Sequence, residues 1–415
     1  MPFTKIFEKL SYDQEIDPDV CPMPEPLIEK LNIVIPIMWL FFISFVSRVI
    51  FAPLMPAIET DLGFSHAQAG KLFLIVSIGS LLAPLIAGLI SSRIYHRKTL
   101  AFAAWLSGFI LILFLFPNDQ WSMGILMVLT GIAAGLHLPS AVPVIGAEVQ
   151  KKDIGKAMSI HQLAPPLGFI SAPFITALLI EWMSWRYILI IWGIVILLSA
   201  LIYSFKSKGG NFPGRILSPK NVKAVFKIPA FWIIVVLLAS AMGGSIGIYT
   251  ILPLFLVNER GIELSTANII IGFAQITGLF IIFLSGWLAD KIGQKPVMAM
   301  SLLTAGISTI LLGIFTDTWL VVIIFIQPVL INSFFPGGFA ALSSAAPPSL
   351  RSVATALGPP LAFVIGGGII PAMIAYLGET YNFSTGIVIT GLYMLAVIFL
   401  ILFLKFENYN DDEGC

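Results

Sequence analysis

The chain has 415 residues, of which 58% are hydrophobic and 11% are charged, and its formal net charge is +1 at pH 7. Soluble domains carry about 25% charged residues, so a chain with this much apolar surface is not a water-soluble globular protein. Apolar runs of about 20 residues recur along it, the length that crosses a bilayer as a helix, whereas a membrane β-barrel would show short alternating segments. The sequence therefore predicts an all-α membrane protein that crosses the bilayer many times.

The first thirty residues are polar and acidic, and they lack the apolar core of a signal peptide. We therefore expect a flexible cytoplasmic tail over residues 1–30. The two cysteines, Cys21 and Cys415, lie near the two ends of the chain, so no disulfide framework is indicated. The sequence shows no phosphate-binding glycine loop, no cluster of metal-ligating residues and no basic patch. It predicts no enzyme, no cofactor or metal, and no nucleic-acid partner.

Twelve apolar segments follow in chain order, and we predict that they are transmembrane helices 1 to 12. Their ranges are 31–58, 67–90, 99–116, 121–147, 157–179, 187–205, 230–257, 269–289, 296–315, 319–345, 353–377 and 385–403. The longest polar connection, 206–229, contains several glycines and prolines and is predicted to be a cytoplasmic linker. It divides the chain into an N-terminal six-helix bundle, 31–205, and a C-terminal one, 230–404, followed by a cytoplasmic tail, 405–415.

The basic residues predict the orientation of these helices. With the amino terminus inside, 19 of the 23 lysines and arginines fall in tails and loops on the inner side. On the outer side lie only Lys71, Arg186 and Arg260, and Arg48 falls within helix 1. Cytoplasmic loops carry an excess of basic residues, and a missing or added helix would scramble this bias. The sequence therefore predicts that both termini are cytoplasmic, and the short loops favour a prokaryotic inner membrane.

A charged turn with two glycines lies between helices 8 and 9. Its spacing is Gly-x-Leu-x-Asp-x-x-Gly-x-Lys, formed by Gly286, Leu288, Asp290, Gly293 and Lys295, with Lys291 between the acid and the second glycine. This spacing resembles the loop signature of the major facilitator superfamily of secondary transporters. The glycines permit close helix approach and a left-handed bend, and the lysines are typical of the cytoplasmic side.

Similar motifs recur about 200 residues apart, as expected of a duplicated unit. Ala52-Pro53-Leu54 matches Leu252-Pro253-Leu254, and Pro165-Pro166-Leu167 matches Pro359-Pro360-Leu361. An even number of helices per unit gives a parallel repeat, which is the arrangement of the major facilitator halves. The resemblance thus covers nearly the whole chain. It implies the major facilitator fold, two pseudo-symmetric six-helix bundles that transport by alternating access, with helices 1, 4, 7 and 10 lining a central cavity.

Arg48 is the strongest candidate for a substrate-binding residue. It lies well inside helix 1, where a guanidinium is costly and usually faces a cavity. Its fixed charge and planar fork suit a carboxylate or a similar oxyanion. Some organic-anion branches of the superfamily are similar in carrying an arginine in helix 1. The open alternative is a structural arginine that is satisfied by backbone carbonyls.

Histidines provide the other titratable groups within helices. His137 lies in helix 4 and His161 in helix 5, followed by Gln162. Each histidine is predicted either to carry a proton or bind substrate, or to be a packed neutral side chain. Tyr249 in helix 7 and Gln327 and Asn332 in helix 10 are further candidates for the polar lining.

No aspartate or glutamate lies near the middle of any predicted helix. Proton-driven symporters and multidrug exporters often use a membrane-buried carboxylate, and a cationic substrate needs one as a counter-charge. The sequence therefore favours transport of a small organic or inorganic anion by facilitated or exchange transport, or with histidine-linked proton coupling. We expect the protein to be a monomer. Two alternatives stay open: a drug or metabolite efflux antiporter, and a transport-silent membrane receptor or scaffold.

The turn at 286–295 is also predicted to be a conformational latch. In its counterpart at 88–98, Ser92 stands at the position of Asp290 and Tyr95 at that of Gly293, so we expect the acid and the glycine bend to be missing there. We hypothesise that Asp290 faces the positive N-terminal end of helix 5, around Lys156, when the cytoplasmic side is closed. The alternative is an ordinary solvated loop acid.

Overall fold

The computed structural model describes residues 26–214 and 216–404, apart from the side chains at 280, 282 and 283. Most of the predicted N-terminal tail, the whole C-terminal tail and both cysteines lie outside the described residues. We call the end of the helix bundle at which the first span begins the proximal end, and the opposite end the distal end.

Long apolar helices account for nearly all of the described chain. Their bounds are α1 Leu27–Leu62, α2 and α3 together His66–Leu113, α4 Gln120–Glu148, α5 Lys151–Leu179, α6 Trp185–Lys206, α7 Pro229–Glu259, α8 Leu264–Ile292, α9 Gln294–Ile314, α10 Asp317–Ser344, α11 Pro348–Thr380 and α12 Phe383–Phe403. The connection after α6 contains a short helix, Pro219–Val225. These bounds correspond to the predicted spans, although α1 begins four, α8 and α11 five, and α5 six residues earlier than expected.

The helix His66–Leu113 contains two spans. Its 48 residues would be about 72 Å long at 1.5 Å per residue, whereas the hydrocarbon core of a bilayer is about 30 Å thick. The helix is broken at Tyr95, where φ is 67° and ψ is 159°. The spans on either side of Tyr95 are α2 and α3, so the described chain crosses the membrane twelve times.

The backbone at Tyr95 corrects one sequence-based expectation. We expected the glycine bend of 286–295 to be missing from the first copy of the turn. Instead Tyr95 adopts nearly the same conformation as Gly293, whose φ is 90° and ψ is 160°. This region of the backbone map is essentially reserved for glycine. The bend is therefore kept in both copies, and in the first it is held by a strained tyrosine.

Replacing Tyr95 with glycine is expected to stabilise the protein by about 1–2 kcal/mol. Relief of backbone strain contributes about 1–3 kcal/mol, and the greater freedom of glycine in the unfolded chain offsets up to about 1 kcal/mol of that. The side chain is 44% exposed, so little packing is lost. Thermal melting of the purified protein measures the effect. Ser92→Gly, at a helical position one turn earlier, is the matched control and is expected to lower stability.

The connection after α6 is held against the proximal ends of the first spans. Arg97 donates from its backbone N–H to the carbonyl of Gly210 at 3.0 Å and from Nε to Ser207 Oγ at 2.9 Å. The buried Glu148 carboxylate accepts from the N–H of Gly210 at 3.1 Å and pairs with Lys30 at 3.4 Å. The first part of the connection therefore packs as a fixed segment of the fold.

Helix starts at the distal end are fixed by side-chain caps. Asp119 accepts from the N–H groups of Trp121 and Ser122 at 2.8 and 3.0 Å at the start of α4. Hydrogen bonds from the backbone and side chain of Ser122 hold the pKa of Asp119 below its ordinary value. Ser65 forms a capping box with Gln68 at the start of α2. Such caps satisfy backbone donors that the helix leaves free.

Small residues bring helix backbones close together inside the bundle. A Cβ placed on Gly131 of α4 would lie 2.1 Å from the carbonyl oxygen of Val76 in α2. A Cβ on Gly79 of α2 would lie 2.2 Å from the carbonyl oxygen of Val128 in α4. Small residues at helix contacts allow this close approach in membranes, where packing drives association. The contact between α2 and α4 therefore tolerates no side chain at either glycine.

Contacts between the first six and the last six spans include three hydrogen bonds near the distal end. In each of them one partner is a backbone atom. They are Asn268 Nδ2 to the carbonyl of Pro53 at 3.2 Å, Ser265 Oγ to the carbonyl of Ala177 at 3.3 Å, and the N–H of Ala67 to Glu379 Oε2 at 2.9 Å. The distal end of the bundle is therefore held together in this structure.

Candidate functional site

Prolines break α4 and α5 at the two candidate histidines. The helix of α4 is interrupted at Leu136, and His137 begins its second part. Pro139 has no N–H to donate to the carbonyl four residues earlier, which weakens the helix at that point. In α5 the first part ends at His161. Pro165, four residues later, has no N–H to donate to the carbonyl of His161, so the helix is weakened here as well. The two histidines therefore lie at helix ends inside the bundle.

The last six spans contain equivalent breaks. The helix of α10 is interrupted at Ser333, after Asn332, and Pro336 stands four residues beyond Asn332. In α7 and α11 the helix widens to π turns at Gly243–Gly247 and Val364–Ile369. A Cβ on Gly247 would lie 2.7 Å from the carbonyl oxygen of Gly366, so the two π turns are in backbone contact. Such turns are frequent at functional sites.

Arg48 lies between the two halves of the chain, with its side chain half-buried. Its Cζ lies 4.9 Å from the ring centroid of Phe45 in α1 and 4.7 Å from that of Phe363 in α11. Such cation–π contacts stabilise the charge but do not take up the N–H donors. Among the described residues, no hydrogen-bond partner contacts the buried Nε. The guanidinium is therefore held by rings and keeps its donors available.

No carboxylate in the described part of the chain pairs with Arg48. The described ion pairs lie toward the ends of the spans: Lys30 with Glu148, His66 with Glu59, Lys156 with Asp153, Arg186 with Asp61, and Arg260 with Glu259. A charge removed from water without a partner costs several kcal/mol. Partial burial of the Arg48 charge is therefore unfavourable, and no described residue neutralises it.

His137 and His161 form a buried pair, with exposed fractions of 1% and 0%. Their Nε2 atoms are 3.4 Å apart, and their rings are nearly parallel, with centroids 5.6 Å apart. Both rings stack on Phe41, with centroid distances of 4.9 and 4.7 Å. Only a side-by-side arrangement over one phenyl ring satisfies all three distances. The fold thus brings together two histidines that lie on different spans.

A row of aromatic rings connects the histidine pair, Arg48 and Tyr249. Phe41 contacts Phe45 at 6.1 Å, Phe45 contacts Phe169 at 5.1 Å, and Phe169 contacts Tyr249 at 4.8 Å. The row crosses from α1 through α5 to α7. The Tyr249 hydroxyl is buried and has no hydrogen-bond partner in the described structure. The row was not predicted, although Phe41, Phe45 and Arg48 follow one another at intervals of four and three residues, which places them on one face of α1.

Tyr249 also lines a small cavity between α7, α8 and α10. The cavity has a volume of about 10 Å³, and its polar lining comes from Ser245, Tyr249, Gln275 and Gln327. This is roughly the space that one water molecule needs. In this conformation the cavity holds no small organic solute.

Gln327 and Asn332 are used within the fold. Gln327 Nε2 donates to the carbonyl of Gly244 in the π turn at 2.7 Å and to Thr309 Oγ1 at 3.3 Å. Asn332 Oδ1 accepts from the hydroxyl of Ser245 at 3.3 Å. The Gln327 bond is thus made to a backbone carbonyl of the π turn at Gly243–Gly247, and Asn332 bonds a side chain of the same turn. Gln162, by contrast, is exposed beside the break in α5.

The predicted latch is not engaged in this structure. Asp290 is exposed, and among the described residues it makes no hydrogen bond or ion pair. Lys156, near the start of α5, pairs with Asp153 at 2.9 Å. Lys291 lies 4.0 Å over the Trp287 ring. The prediction concerns a closed proximal end, whereas here the described hydrogen bonds between the halves lie near the distal end, so it stays a prediction.

The remaining members of the predicted latch form the turn itself. Gly286 lies near α10, where an added Cβ would be 3.8 Å from Pro336. Gly293 supplies the bend between α8 and α9. Lys295 Nζ donates to the carbonyl of Leu404 at 2.5 Å and so joins the start of α9 to the end of α12.

Comparison with known proteins identifies one family. The sequence profile of the Major Facilitator Superfamily matches residues 37–291 and 248–414. A Haemophilus influenzae protein named for metabolite transport is 26% identical over 377 residues, covering 85% of this chain and 91% of that protein. A gallate transporter of Pseudomonas putida is 23% identical over 295 residues, covering 62% of this chain and 65% of that protein.

The fold is also similar to solved transporter structures. A bacterial homologue of the human lysosomal transporter Spinster superposes with a TM-score of 0.73 at 14% sequence identity, over 89% of this chain and 94% of that one. At this level of identity the similarity concerns the fold alone. It agrees with the predicted pair of six-helix bundles.

Proposed function

Because this chain belongs to the Major Facilitator Superfamily, whose members are membrane transporters rather than enzymes, we propose that it moves a small anion by alternating access. The anion binds Arg48 at the junction of two six-helix halves, 31–205 and 230–404. The remaining lining comes from the aromatic row, the histidine pair, Gln162 and, after rearrangement of α7 and α10, Tyr249, Gln327 and Asn332.

The unpaired guanidinium of Arg48 is the observation that carries this proposal. Its Nε is buried without a partner, and Phe45 and Phe363 leave its in-plane donors free. A carboxylate or phosphate oxygen fits these donors, and its charge offsets the cost of burying the cation. A cationic solute would meet a like charge and find no carboxylate beside it among the described residues. The charge at the site therefore selects for an anion.

Phe363 gives the anion a means to bias the conformation. Arg48 belongs to α1 and Phe363 to α11, so the cation–π contact joins the two halves. An anion that binds the guanidinium competes with the Phe363 ring for contact with the charged group. A ligand shifts a conformational equilibrium only through differential contacts in the two states, and this contact supplies one.

The gallate transporter among the relatives supports an organic anion, since gallate is an aromatic carboxylate. The rings of Phe45 and Phe363 beside Arg48 can pack against the aromatic ring of such a solute. We place the proximal end and both termini in the cytoplasm of a bacterium because the basic residues concentrate at that end. In this orientation the described structure is held together at its outer face, and the Asp290 latch would act when the opposite face closes.

The proposal is tested by thermal shift of the purified protein in detergent. The panel contains gallate, benzoate, glucose 6-phosphate and inorganic phosphate, with choline and tetraethylammonium as cations of similar size. We expect at least one anion to raise the melting temperature with a saturating dose response, and the two cations to have no effect. Stabilisation by the cations, or by none of the four anions, would contradict the proposal.

A further inference from the structure

Two buried histidines on different spans share one contact between ring nitrogens. The Nε2 atoms of His137 and His161 are 3.4 Å apart, and both imidazoles lie flat on Phe41. We propose that His137 and His161 together form a binding site for a single proton that moves with the anion. This inference rests on the proposed anion transport and adds the co-transported ion.

The chemistry of the pair limits it to one added proton. A neutral imidazole has one N–H, so at this distance one ring donates from Nε2 and the other accepts. A proton added to the donor ring at Nδ1 leaves that hydrogen bond in place and makes it charge-assisted, which strengthens it. A second proton must go to the accepting Nε2, where two N–H groups would then point at each other. The geometry therefore accepts the first proton and opposes the second.

Phe41 favours this protonation. Its face lies 4.7 to 4.9 Å from both imidazole centroids, and the negative face of a phenyl ring stabilises a cation stacked on it. Full burial opposes a charge on the pair, so the charge-assisted hydrogen bond and the ring face together must offset that cost.

Charged groups on the elements packed around the pair lie at some distance. Toward the proximal end they are Glu29 and Lys30 on α1, Glu148 on α4, Lys151, Lys152, Asp153 and Lys156 on α5, Arg93, His96, Arg97 and Lys98 in the basic turn between α2 and α3, and Lys206 on α6. Toward the distal end are Glu59 and Asp61 on α1, His66 and Lys71 on α2, and Arg186 on α6, and Arg48 lies between the two ends of α1. Glu148 is eleven residues from His137, about 16 Å along a helix, and is paired with Lys30. No described carboxylate contacts the imidazoles.

Arg48 is the charge that couples proton binding to anion binding. It lies seven residues from Phe41, about 10 Å along α1. Two unit charges about 10 Å apart, at an effective dielectric constant of about 20, repel by an energy worth about tenfold in proton affinity, which is the scale expected for this coupling. A bound anion neutralises Arg48 and removes this repulsion. By linkage the proton raises the anion affinity by the same factor, so the two load together.

The first test measures gallate binding to the purified protein between pH 7.5 and 5.5, where the gallate carboxylate stays ionised. We expect affinity to rise about tenfold toward the acid end in the wild type. His161→Gln and His137→Gln should bind gallate with an affinity that does not change with pH. His96→Gln, which removes a buried imidazole near the basic turn, is the control and should keep the pH dependence. A wild-type affinity that does not vary with pH would overturn the proposal.

The second test needs no anion and therefore stands apart from the proposed function. The chain has four histidines, so protein labelled with ¹⁵N-histidine gives few imidazole signals. We expect the His137 and His161 signals to change together in one step that takes up one proton. Two independent titrations, or no titration of either ring, would refute the pair as a proton site. If gallate fails to bind at any pH while the joint step is seen, the substrate assignment is wrong and the proton site stands.

Discussion

An Arg48→Ala protein is expected to lose anion binding and transport while its unliganded form becomes more stable. Truncating one partner of a buried, hydrogen-bonded charge pair costs about 2–5 kcal/mol, which is a loss in affinity of about 30-fold or more. In the empty carrier the same guanidinium is a half-buried cation without a carboxylate partner in the described chain, and removing it relieves the cost of its partial desolvation. The two effects have opposite signs, which separates a binding arginine from a structural one.

The measurement is the melting temperature with and without the stabilising anion. Arg48→Lys keeps the charge but loses the planar fork, so we expect it to retain weak binding. Arg186→Ala is the matched control, because Arg186 is an arginine that already pairs with Asp61. It should lower stability and leave the anion effect unchanged. If Arg48→Ala were destabilised without ligand and still stabilised by the anion, Arg48 would be structural.

Gly131→Ala is expected to disrupt the fold, whereas Gly146→Ala on the same span is expected to be harmless. The added Cβ at Gly131 would lie 2.1 Å from a backbone oxygen of α2, so one of the two helices must move. Overpacking a close contact costs about 1–3 kcal/mol and more where backbone must shift. A Cβ at Gly146 meets nothing within 4 Å. There alanine gains up to about 1 kcal/mol of helix propensity.

Expression level and the fraction of protein that elutes as a single species in size-exclusion chromatography report the difference. Gly79→Ala should behave like Gly131→Ala, because it faces the same contact from α2. Equal yields for Gly131→Ala and Gly146→Ala would mean that α2 and α4 do not pack backbone to backbone. The comparison tests the helix contact without reference to any substrate.

The spans could be predicted from the sequence because bilayer thickness fixes their length and water-free surroundings fix their composition. The charged turn at 286–295 and the repeat then indicated the family. The conformation of Tyr95 could not be predicted, since local rules assign that backbone region to glycine. The repeat aligned Tyr95 with Gly293, but the absence of glycine led us to expect no bend there.

The contacts within the candidate site were harder to predict from the sequence than the spans were. His137 and His161 stand out individually as polar groups in apolar helices, but their contact depends on two proline breaks and on how α4 meets α5. The ring of Phe363 next to Arg48 comes from a span more than 300 residues away in sequence. Side-chain polarity alone predicted Gln327 as lining, and the structure places it both beside the small cavity at Tyr249 and in a hydrogen bond to a carbonyl of the π turn at Gly243–Gly247.

The hydrogen bonds at the distal end have a genetic consequence. In each of the three, one partner is a main-chain atom, at Pro53, Ala177 or Ala67. Substitution at those three positions leaves the atom in place, so only Asn268, Ser265 and Glu379 can be lost by mutation. For these three bonds, paired substitutions would therefore not be selected, and a search for co-varying positions would overlook them. Co-variation between the halves is expected instead at ring contacts made by side chains of both halves, such as His66 with Phe383 and Phe174 with Phe273.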